Sequence, residues 1–176
     1  KPKEAQQMRL ILEERELMFK AITNQYDEFD YTKRDGTVIK EDIYTRAARL
    51  AKNAKSRQDN IKKKIVKEIQ GQINPDNKVI IAESTSEESG LLGLAAMMIS
   101  DTYQKPTILV KKRKIDDSIV FNGSIRNFDN SPIEDFRQFI IDTNTVNWVT
   151  GHPNAAGISI SPDKVEEAQM AFNEAL

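Results

Sequence analysis

The sequence contains no cysteine and only one histidine among its 176 residues. Without cysteine the chain cannot form a disulfide or a thiolate metal site, and we expect a reducing, cytoplasmic compartment. A dinuclear metal hydrolase needs several imidazoles and carboxylates that converge on one point, which a single histidine cannot supply. We therefore expect that this chain itself binds no metal and no other cofactor.

Several sequence signatures are also missing. No apolar run is long enough to span a bilayer and no signal peptide opens the chain, so we expect no membrane partner. The sequence has no GxSxG nucleophile motif, no Walker loop and no dinucleotide-binding fingerprint. It begins with Lys1 and not with methionine, which indicates an excised piece or a processed product.

Charge is distributed unevenly, although the formal net charge is −1. Residues 41–70 contain nine Lys or Arg and four Asp or Glu, whereas residues 115–176 contain three and ten. This contrast suggests a partner that meets the basic stretch. A solvated helix face with no partner is the open alternative.

The first 73 residues are predicted to form a helical connector. In the first segment, apolar residues recur at spacings of three and four, which is typical of an amphipathic helix. They are Met8, Leu12, Met18 or Phe19, Ile22 and Tyr26. Asp35-Gly36 then predicts a small hairpin near residues 29–39, and a second helical pattern runs from Lys40 to Ile69.

Residues 74–176 are predicted to form a separate domain after the loop Asn74–Asn77. Strands are expected at Lys78–Glu83, Pro106–Lys112, Ser118–Arg126 and, briefly, from Gly157 onward, with helices between and after them. This order predicts an α/β (α+β) fold with a small mixed sheet flanked by helices. The long helical connector precedes that domain.

Three stretches of this domain carry residues suited to binding phosphate. Gly90 and Gly93 open a helix and expose its backbone N–H groups. Ser124 and Arg126 lie two residues apart in a strand, hence on one side of it, and arginine can bind two phosphate oxygens at once. His152 lies in GHPNAAG, where small residues let a ligand approach the backbone. Together these stretches indicate a shallow site for a phosphodiester chain.

Each stretch also has a purely structural interpretation. The glycines could only allow a helix to pack closely on a strand. Arg126 could pair with Asp129 or Glu134, and His152 could cap a turn.

The order of these motifs resembles the C-terminal part of RecJ-type exonucleases of the DHH phosphoesterase superfamily, in particular the DHH-associated nucleic-acid-binding domain. The matching elements are Gly90–Gly93, Lys105-Pro106, Gly123–Arg126 and Gly151–Gly157, and the resemblance covers about residues 78–176. The connector stretch Asn53–Gln58 is similar to the Asn-x-x-Arg-Gln of such proteins, with the asparagine displaced by one residue.

The sequence departs from the family pattern at two places. Glu87-Glu88 stand where many relatives have Trp-His, and Thr150 replaces a glycine. These departures suggest a divergent phage or bacterial member.

The resemblance implies a substrate-binding part of a single-strand-specific 5′ exonuclease that acts in DNA repair and recombination. A separate N-terminal catalytic domain would bind Mn²⁺ or Mg²⁺, and this chain alone would be inactive. Arg126 and Ser124 would hold a phosphate, with His152 beside it as an assisting group. The expected nucleic-acid-binding residues are Gly90, Gly93, Ser124, Arg126, Gly151, His152, Asn154, Ala155, Ala156, Gly157, Arg57 and Lys62. Basic residues of the second helix would steer the strand; they are Arg46, Arg49, Lys52, Lys55, Arg57, Lys62 and Lys63.

Two alternatives stay open. The first is an oligoribonuclease or cyclic-dinucleotide phosphodiesterase of the same superfamily. The second is a non-catalytic protein-interaction module, which the acidic C-terminal half favours because negative charge repels DNA. The expected partners are single-stranded nucleic acid and the catalytic domain. In this fragment the apolar face of the first helix could either fold back on the second helix or pair with a second copy of the chain, so a homo-oligomer is an open alternative.

Overall fold

The computed structural model describes residues 2–86 and 89–176, with side chains from residue 12 onward except that of Ser89. The chain divides into two compact units, Lys1–Gln58 and Asp59–Leu176. The division falls inside a helix that contributes to both units. The domain boundary predicted between residues 73 and 74 was placed at a loop in the sequence and not by compactness, and it stays a prediction.

The first unit consists of two helices and a hairpin. Helix α1 spans Pro2–Ile22, strands β1 and β2 span Glu28–Thr32 and Val38–Asp42, and helix α2 spans Ile43–Ile69. The two strands pair antiparallel, which confirms the predicted hairpin. Gly36 has a φ of 85°, a conformation that glycine adopts without steric cost, and the Thr37 N–H donates to Asp35 Oδ1 over 3.0 Å.

Of the apolar stripe predicted for helix α1, only Met18 packs against a buried cluster among the described side chains. Leu17 is buried with Ile43 and Ala47, and Met18 and Ala21 pack against them. Of the predicted stripe, Leu12, Phe19, Ile22 and Tyr26 are exposed, Ile22 by 82%. Met8 lies outside the described side chains. The error arose because Leu17, Met18 and Phe19 are consecutive, so that spacing alone does not decide which of them faces inward.

The second unit is built on a five-stranded mixed sheet. Its elements are β3 (Ile80–Glu83), α3 (Leu92–Tyr103), β4 (Thr107–Ile115), β5 (Ser118–Arg126), α4 (Phe136–Asp142), β6 (Trp148–His152), β7 (Ala155–Ile160) and α5 (Val165–Ala175). Short 3-10 turns lie at Gln70–Gln72, Ser89–Leu91 and Pro162–Lys164. The strand order is β3-β4-β5-β7-β6, with β3 parallel to β4 and the other pairs antiparallel. The predicted α/β fold is confirmed.

Strand β6 was not predicted. It forms a hairpin with β7, and His152 pairs with Ala155 next to the turn. The sequence analysis assigned no strand before Gly157, because Gly151 and Pro153 are typical turn residues. Tertiary pairing nevertheless extends both strands up to that turn.

The two faces of the sheet are covered differently. Helices α4 and α5 cover one face, where Phe136, Ile140 and Phe172 pack on Ile125 and Ile158. On the other face, α3 and the end of α2 cover β3 and β4, and their apolar residues form one cluster with Ile80, Ala82 and Leu109. Helix α3 packs on β4 and β5. The β6 residues that face this side, Trp148, Thr150 and His152, are exposed, so this edge of the sheet is uncovered.

Within the described part of the chain, no helix combines the length and the apolar character needed to cross a membrane.

Candidate nucleic-acid interface

The candidate side chains lie in two rows on the uncovered side of the sheet. Cross-strand partners point to the same face and alternate residues share it. One row runs Thr107, Arg126, Ala155, His152, and the next runs Leu109, Ser124, Gly157, Thr150. Arg126 and His152 therefore share one face, two strands apart, which is roughly 10 Å at the usual strand spacing.

The guanidinium of Arg126 lies against the first turn of α3. A Cβ atom at Gly93 would overlap Arg126 Nη2 and would lie 3.5 Å from Ser124 Oγ. Three predicted residues thus meet at one point, and glycine is needed there because the guanidinium occupies the space of a side chain. Arg126 Nη1 donates to the carbonyl of Ile125 over 2.6 Å, which holds the side chain along its strand.

The charge of Arg126 has no carboxylate partner among the described residues. Neither Asp129 nor Glu134 pairs with it, so neither of the two ion pairs considered in the sequence analysis is formed. Burial lowers the pKa of Arg126, because desolvation disfavours the charged guanidinium. A half-buried cation without a counter-charge is electrostatically costly, and an anion bound beside it would relieve that cost.

The start of α3 adds to this preference for an anion. Leu91 caps the helix without a side-chain hydrogen bond, and no acidic residue occupies the first turn. The first N–H groups of a helix lack partners inside it, and the helix dipole places partial positive charge at that end. A hollow of about 250 Å³ lies beside it and is lined by Gly90, Leu92, Arg113, Asn122, Gly123 and Ser124.

His152 lies exposed at the tip of the β6–β7 hairpin, and no hydrogen bond or ion pair of its side chain is found in the described structure. The tip is held by Arg137, whose N–H donates to the Pro153 carbonyl over 2.8 Å and whose Nη1 donates to the Gly151 carbonyl over 3.2 Å. The imidazole is therefore free to contact a ligand from a fixed backbone.

Asn154 also holds the tip of the β6–β7 hairpin in place. Its side-chain oxygen accepts from Asn127 Nδ2 over 3.1 Å, and its Nδ2 donates to the Glu134 carbonyl over 3.2 Å. The structure thus gives Asn154 a supporting contact, and its predicted binding to nucleic acid stays a prediction.

The expected binding residues Ala155, Ala156 and Gly157 lie inside a strand of the sheet. These residues form part of β7, which pairs with β5 on one side and β6 on the other, so their N–H groups lie in the sheet ladder. Ala156 is buried in the core of the opposite face. The amides of these residues are thus engaged in strand pairing, and nucleic-acid binding by Ala155, Ala156 and Gly157 stays a prediction. Ala155 and Gly157 still face the uncovered side.

Two predicted steering arginines of α2 have structural partners in the first unit. The guanidinium of Arg46 lies 4.5 Å from the centroid of the Phe29 ring. Arg49 donates to both carboxylate oxygens of buried Glu41 over 2.7 Å. That hydrogen bonding lowers the pKa of Glu41. Steering by Arg46 and Arg49 is thus not supported, since both charges stabilise the fold.

The two candidates of α2 that were named as binding residues are also paired. Arg57 Nη2 lies 3.3 Å from Glu14 Oε1 within the first unit, and Lys62 Nζ lies 3.1 Å from Asp59 Oδ1 within the second. Both ion pairs are partly exposed and therefore weak, so DNA could displace them. Nucleic-acid binding by Arg57 and Lys62 stays a prediction.

Trp148 is the residue of this face that the sequence analysis missed. It lies in a third row with Ser159, Asn122 and Lys111, on the same side as Ser124 and Arg126. The run of aromatic and β-branched residues Trp148, Val149 and Thr150 is typical of a strand and could have revealed β6.

No group of three or more His, Asp or Glu side chains that could hold a metal ion is found among the described residues.

Comparisons with known proteins identify relatives of nearly the whole chain. No protein-family model matches it. It is 31% identical over 169 residues to the protein named SPbeta prophage-derived single-strand DNA-specific exonuclease YorK of Bacillus subtilis strain 168, and equally to the protein named single-strand DNA-specific exonuclease yorK of Bacillus phage SPbeta. The alignments cover 92% of this chain but 29% of each relative, so the chain spans less than a third of their length.

Solved structures share the fold at 17% sequence identity. Exonuclease RecJ bound to manganese matches with a TM-score of 0.53 over 68% of this chain and 29% of that protein. RecJ from Thermus thermophilus matches with a TM-score of 0.56 over 77% of this chain, in complex with Mn²⁺ and with Mg²⁺, and the match covers 20% and 21% of those chains.

Proposed function

From the premise that this chain is a RecJ-like fragment, we propose that its second unit binds the backbone of single-stranded DNA at Arg126 and the first turn of α3. The relatives named as single-strand DNA-specific exonucleases support the choice of substrate. The position of Arg126 on an open sheet face supports the choice of site.

The observation that carries this proposal is the uncompensated charge of Arg126. Its guanidinium is half-buried, packs against Gly93 and has no carboxylate partner in the described parts of the chain. A phosphate group would supply the missing negative charge and would accept hydrogen bonds from the planar guanidinium. The uncapped N–H groups of α3 would donate to the same anion.

Ser124 and His152 extend this contact along the strand. Ser124 Oγ lies on the Gly93 side of Arg126 and would donate to the same phosphate. His152 lies two strands away in the row of Arg126 and would donate from its imidazole to a neighbouring phosphate. Sequence is not read by these contacts, since they reach only the sugar–phosphate backbone.

Hydrolysis of the phosphodiester would take place outside this chain. We assign the Mn²⁺ or Mg²⁺ ions of the reaction to the part of the RecJ-like protein that this chain does not cover. The residues of the phosphate site would hold the strand and orient it, and the chain alone would bind DNA without cleaving it.

Binding of a labelled oligothymidine, followed by fluorescence anisotropy at low salt, tests the proposal. We expect Arg126→Ala to weaken binding about tenfold or more, because a charged hydrogen-bonding group is lost, and His152→Ala to weaken it by a smaller factor. Arg34→Ala is the matched control, since it removes an exposed positive charge from the hairpin of the first unit. Equal losses in the Arg126 and Arg34 variants, or no binding by the unmodified chain, would contradict the assignment.

A further inference from the structure

We propose that Trp148 is a stacking platform for a nucleobase of the strand whose phosphate Arg126 holds. This inference rests on the proposed binding of single-stranded DNA and adds a second kind of contact, to a base and not to the backbone. It identifies a binding residue that the phosphate-site motifs do not include.

The register of the sheet places the indole beside the phosphate site. Trp148 lies on β6 one row away from Thr150, and its ring reaches over Gly157 of the neighbouring strand β7. A Cβ atom at Gly157 would lie 3.5 Å from Cζ3 and 3.8 Å from Cη2 of that ring. Gly157 in turn pairs with Ser124 on β5. The indole therefore lies one strand away from Ser124, whose hydroxyl is next to Gly93 and the Arg126 guanidinium.

The indole of Trp148 is accessible from the solvent. Trp148 is 47% exposed, and Thr150, its neighbour on the same side of β6, is exposed as well. An indole at the surface leaves a large apolar area in water, and burying it under a ligand would gain free energy. The absence of a side chain at Gly157 leaves the space through which the ring leans towards the phosphate site.

The chemistry of the two neighbouring groups fits a nucleotide. A phosphate held at Arg126 and Ser124 carries a sugar and a base, and the base can extend across Gly157 to the indole. Every base has a π face, so an aromatic platform accepts bases without strong sequence preference. Bases in a duplex already stack on one another, whereas bases of a single strand are free to stack on a protein side chain. The site would thus favour single strands.

A structural role for Trp148 is the competing explanation. The ring could only shield the β6–β7 hairpin from water, and its removal would then alter stability but not the contact with a base. Because Trp148 is the one tryptophan of the chain, its intrinsic fluorescence reports on this side chain alone.

The first measurement titrates the whole chain with oligothymidine and with an abasic oligonucleotide of equal length, which has the same backbone without bases. We expect oligothymidine to quench the emission of Trp148 as binding saturates, and the abasic strand to bind more weakly without that quenching. Quenching of equal size by both strands would overturn the stacking role.

The second measurement compares variants by anisotropy. We expect Trp148→Ala to weaken binding of oligothymidine by roughly 5- to 150-fold, the range of one lost base stack, and to leave binding of the abasic strand nearly unchanged. Trp148→Phe should restore part of the affinity. Ile141→Ala, which truncates a 44% exposed apolar side chain on α4, is the matched control and should bind like the unmodified chain.

Loss of the stack and loss of the whole proposed function give different results. If the unmodified chain binds oligothymidine and Arg126→Ala weakens it while Trp148→Ala and Trp148→Phe do not, the stacking role is wrong and the phosphate site stands. If no strand binds the unmodified chain, both proposals fail. If Trp148→Ala is less stable in urea, the stacking role is tested with Trp148→Phe and with the quenching measurement, which needs no variant.

Discussion

A side chain at position 93 would occupy the space that the Arg126 guanidinium fills. The phosphate site is therefore sensitive to a single methyl group added at Gly93. A Cβ atom at position 93 would overlap the guanidinium, the flexible end of a side chain, and not the backbone. The conflict would therefore move Arg126 and leave the helix in place.

We predict that Gly93→Ala weakens binding of oligothymidine nearly as much as Arg126→Ala does, without loss of stability. Alanine in a helix is favoured over glycine by up to about 1 kcal/mol, so the free energy of unfolding should stay the same or rise. Anisotropy and urea denaturation measure the two quantities. Gly71→Ala, where a Cβ atom meets nothing within 4 Å, is the control. A Gly93→Ala variant that binds as tightly as the unmodified chain would show that Arg126 does not hold the phosphate in this position.

At the same scale, most of the phosphate-site residues were recognisable from the sequence. Ser124 and Arg126 could be assigned to one side of a strand because side chains alternate with a period of two. Their contact with Gly93 could not, since those residues are brought together by the packing of α3 on β5. Trp148 was missed because it carries no phosphate-binding chemistry and its strand was not predicted.

The β6–β7 hairpin is the element that determines where His152 and Trp148 lie. Each of its strands contains one glycine, and the two positions differ in whether the structure has room for a side chain there. Gly151 has a φ of 141°, and a Cβ atom there would lie 2.8 Å from the Ala156 Cα atom. At Gly157 the nearest neighbour of an added Cβ atom is the indole at ordinary contact distance, and the φ is one that other residues adopt.

We predict that Gly151→Ala lowers the free energy of unfolding by about 1–3 kcal/mol, because the backbone would be strained and pushed away from β7. Gly157→Ala should change it by less than about 1 kcal/mol, since it adds a methyl group in van der Waals contact. Urea denaturation followed by circular dichroism measures both variants. Similar losses in the two variants would mean that the close approach at Gly151 is not what holds the hairpin.

Helix α1 illustrates the limit of periodicity at the scale of an element. The helix itself was predicted correctly, but its buried face was not, because three consecutive apolar residues allow more than one phase. The hairpin after it was predicted well, since Asp-Gly between β-branched and aromatic residues has few alternatives.

The charge of the whole chain restricts how DNA can bind. Residues 115–176 carry seven more negative than positive charges, and two arginines of α2 are used in structural contacts. A strand held at Arg126 would therefore gain little further attraction from residues 115–176.

We predict a shallow salt dependence for the binding of oligothymidine. Each neutralised phosphate of a single strand contributes about −0.7 to the slope of log K against log salt concentration, so two contacts give a slope near −1.4. Arg126→Ala should reduce its magnitude by about 0.7. A slope steeper than about −3 would instead show that the basic residues of α2 bind the strand as well.

The amino-acid sequence by itself determined the fold class and the family resemblance. The motif order established the resemblance to RecJ, which the relatives and the shared fold confirm, and hydrophobic periodicity determined the α/β fold. Local patterns suffice for these features because turn chemistry and side-chain alternation depend on neighbours in the chain. Only the tertiary structure decided which charges remain unpaired, which face of the sheet stays open and which aromatic ring lies on it. Those features depend on contacts between residues far apart in sequence, and β6, Gly93 and Arg126 acquire their roles only when the sheet and α3 pack together.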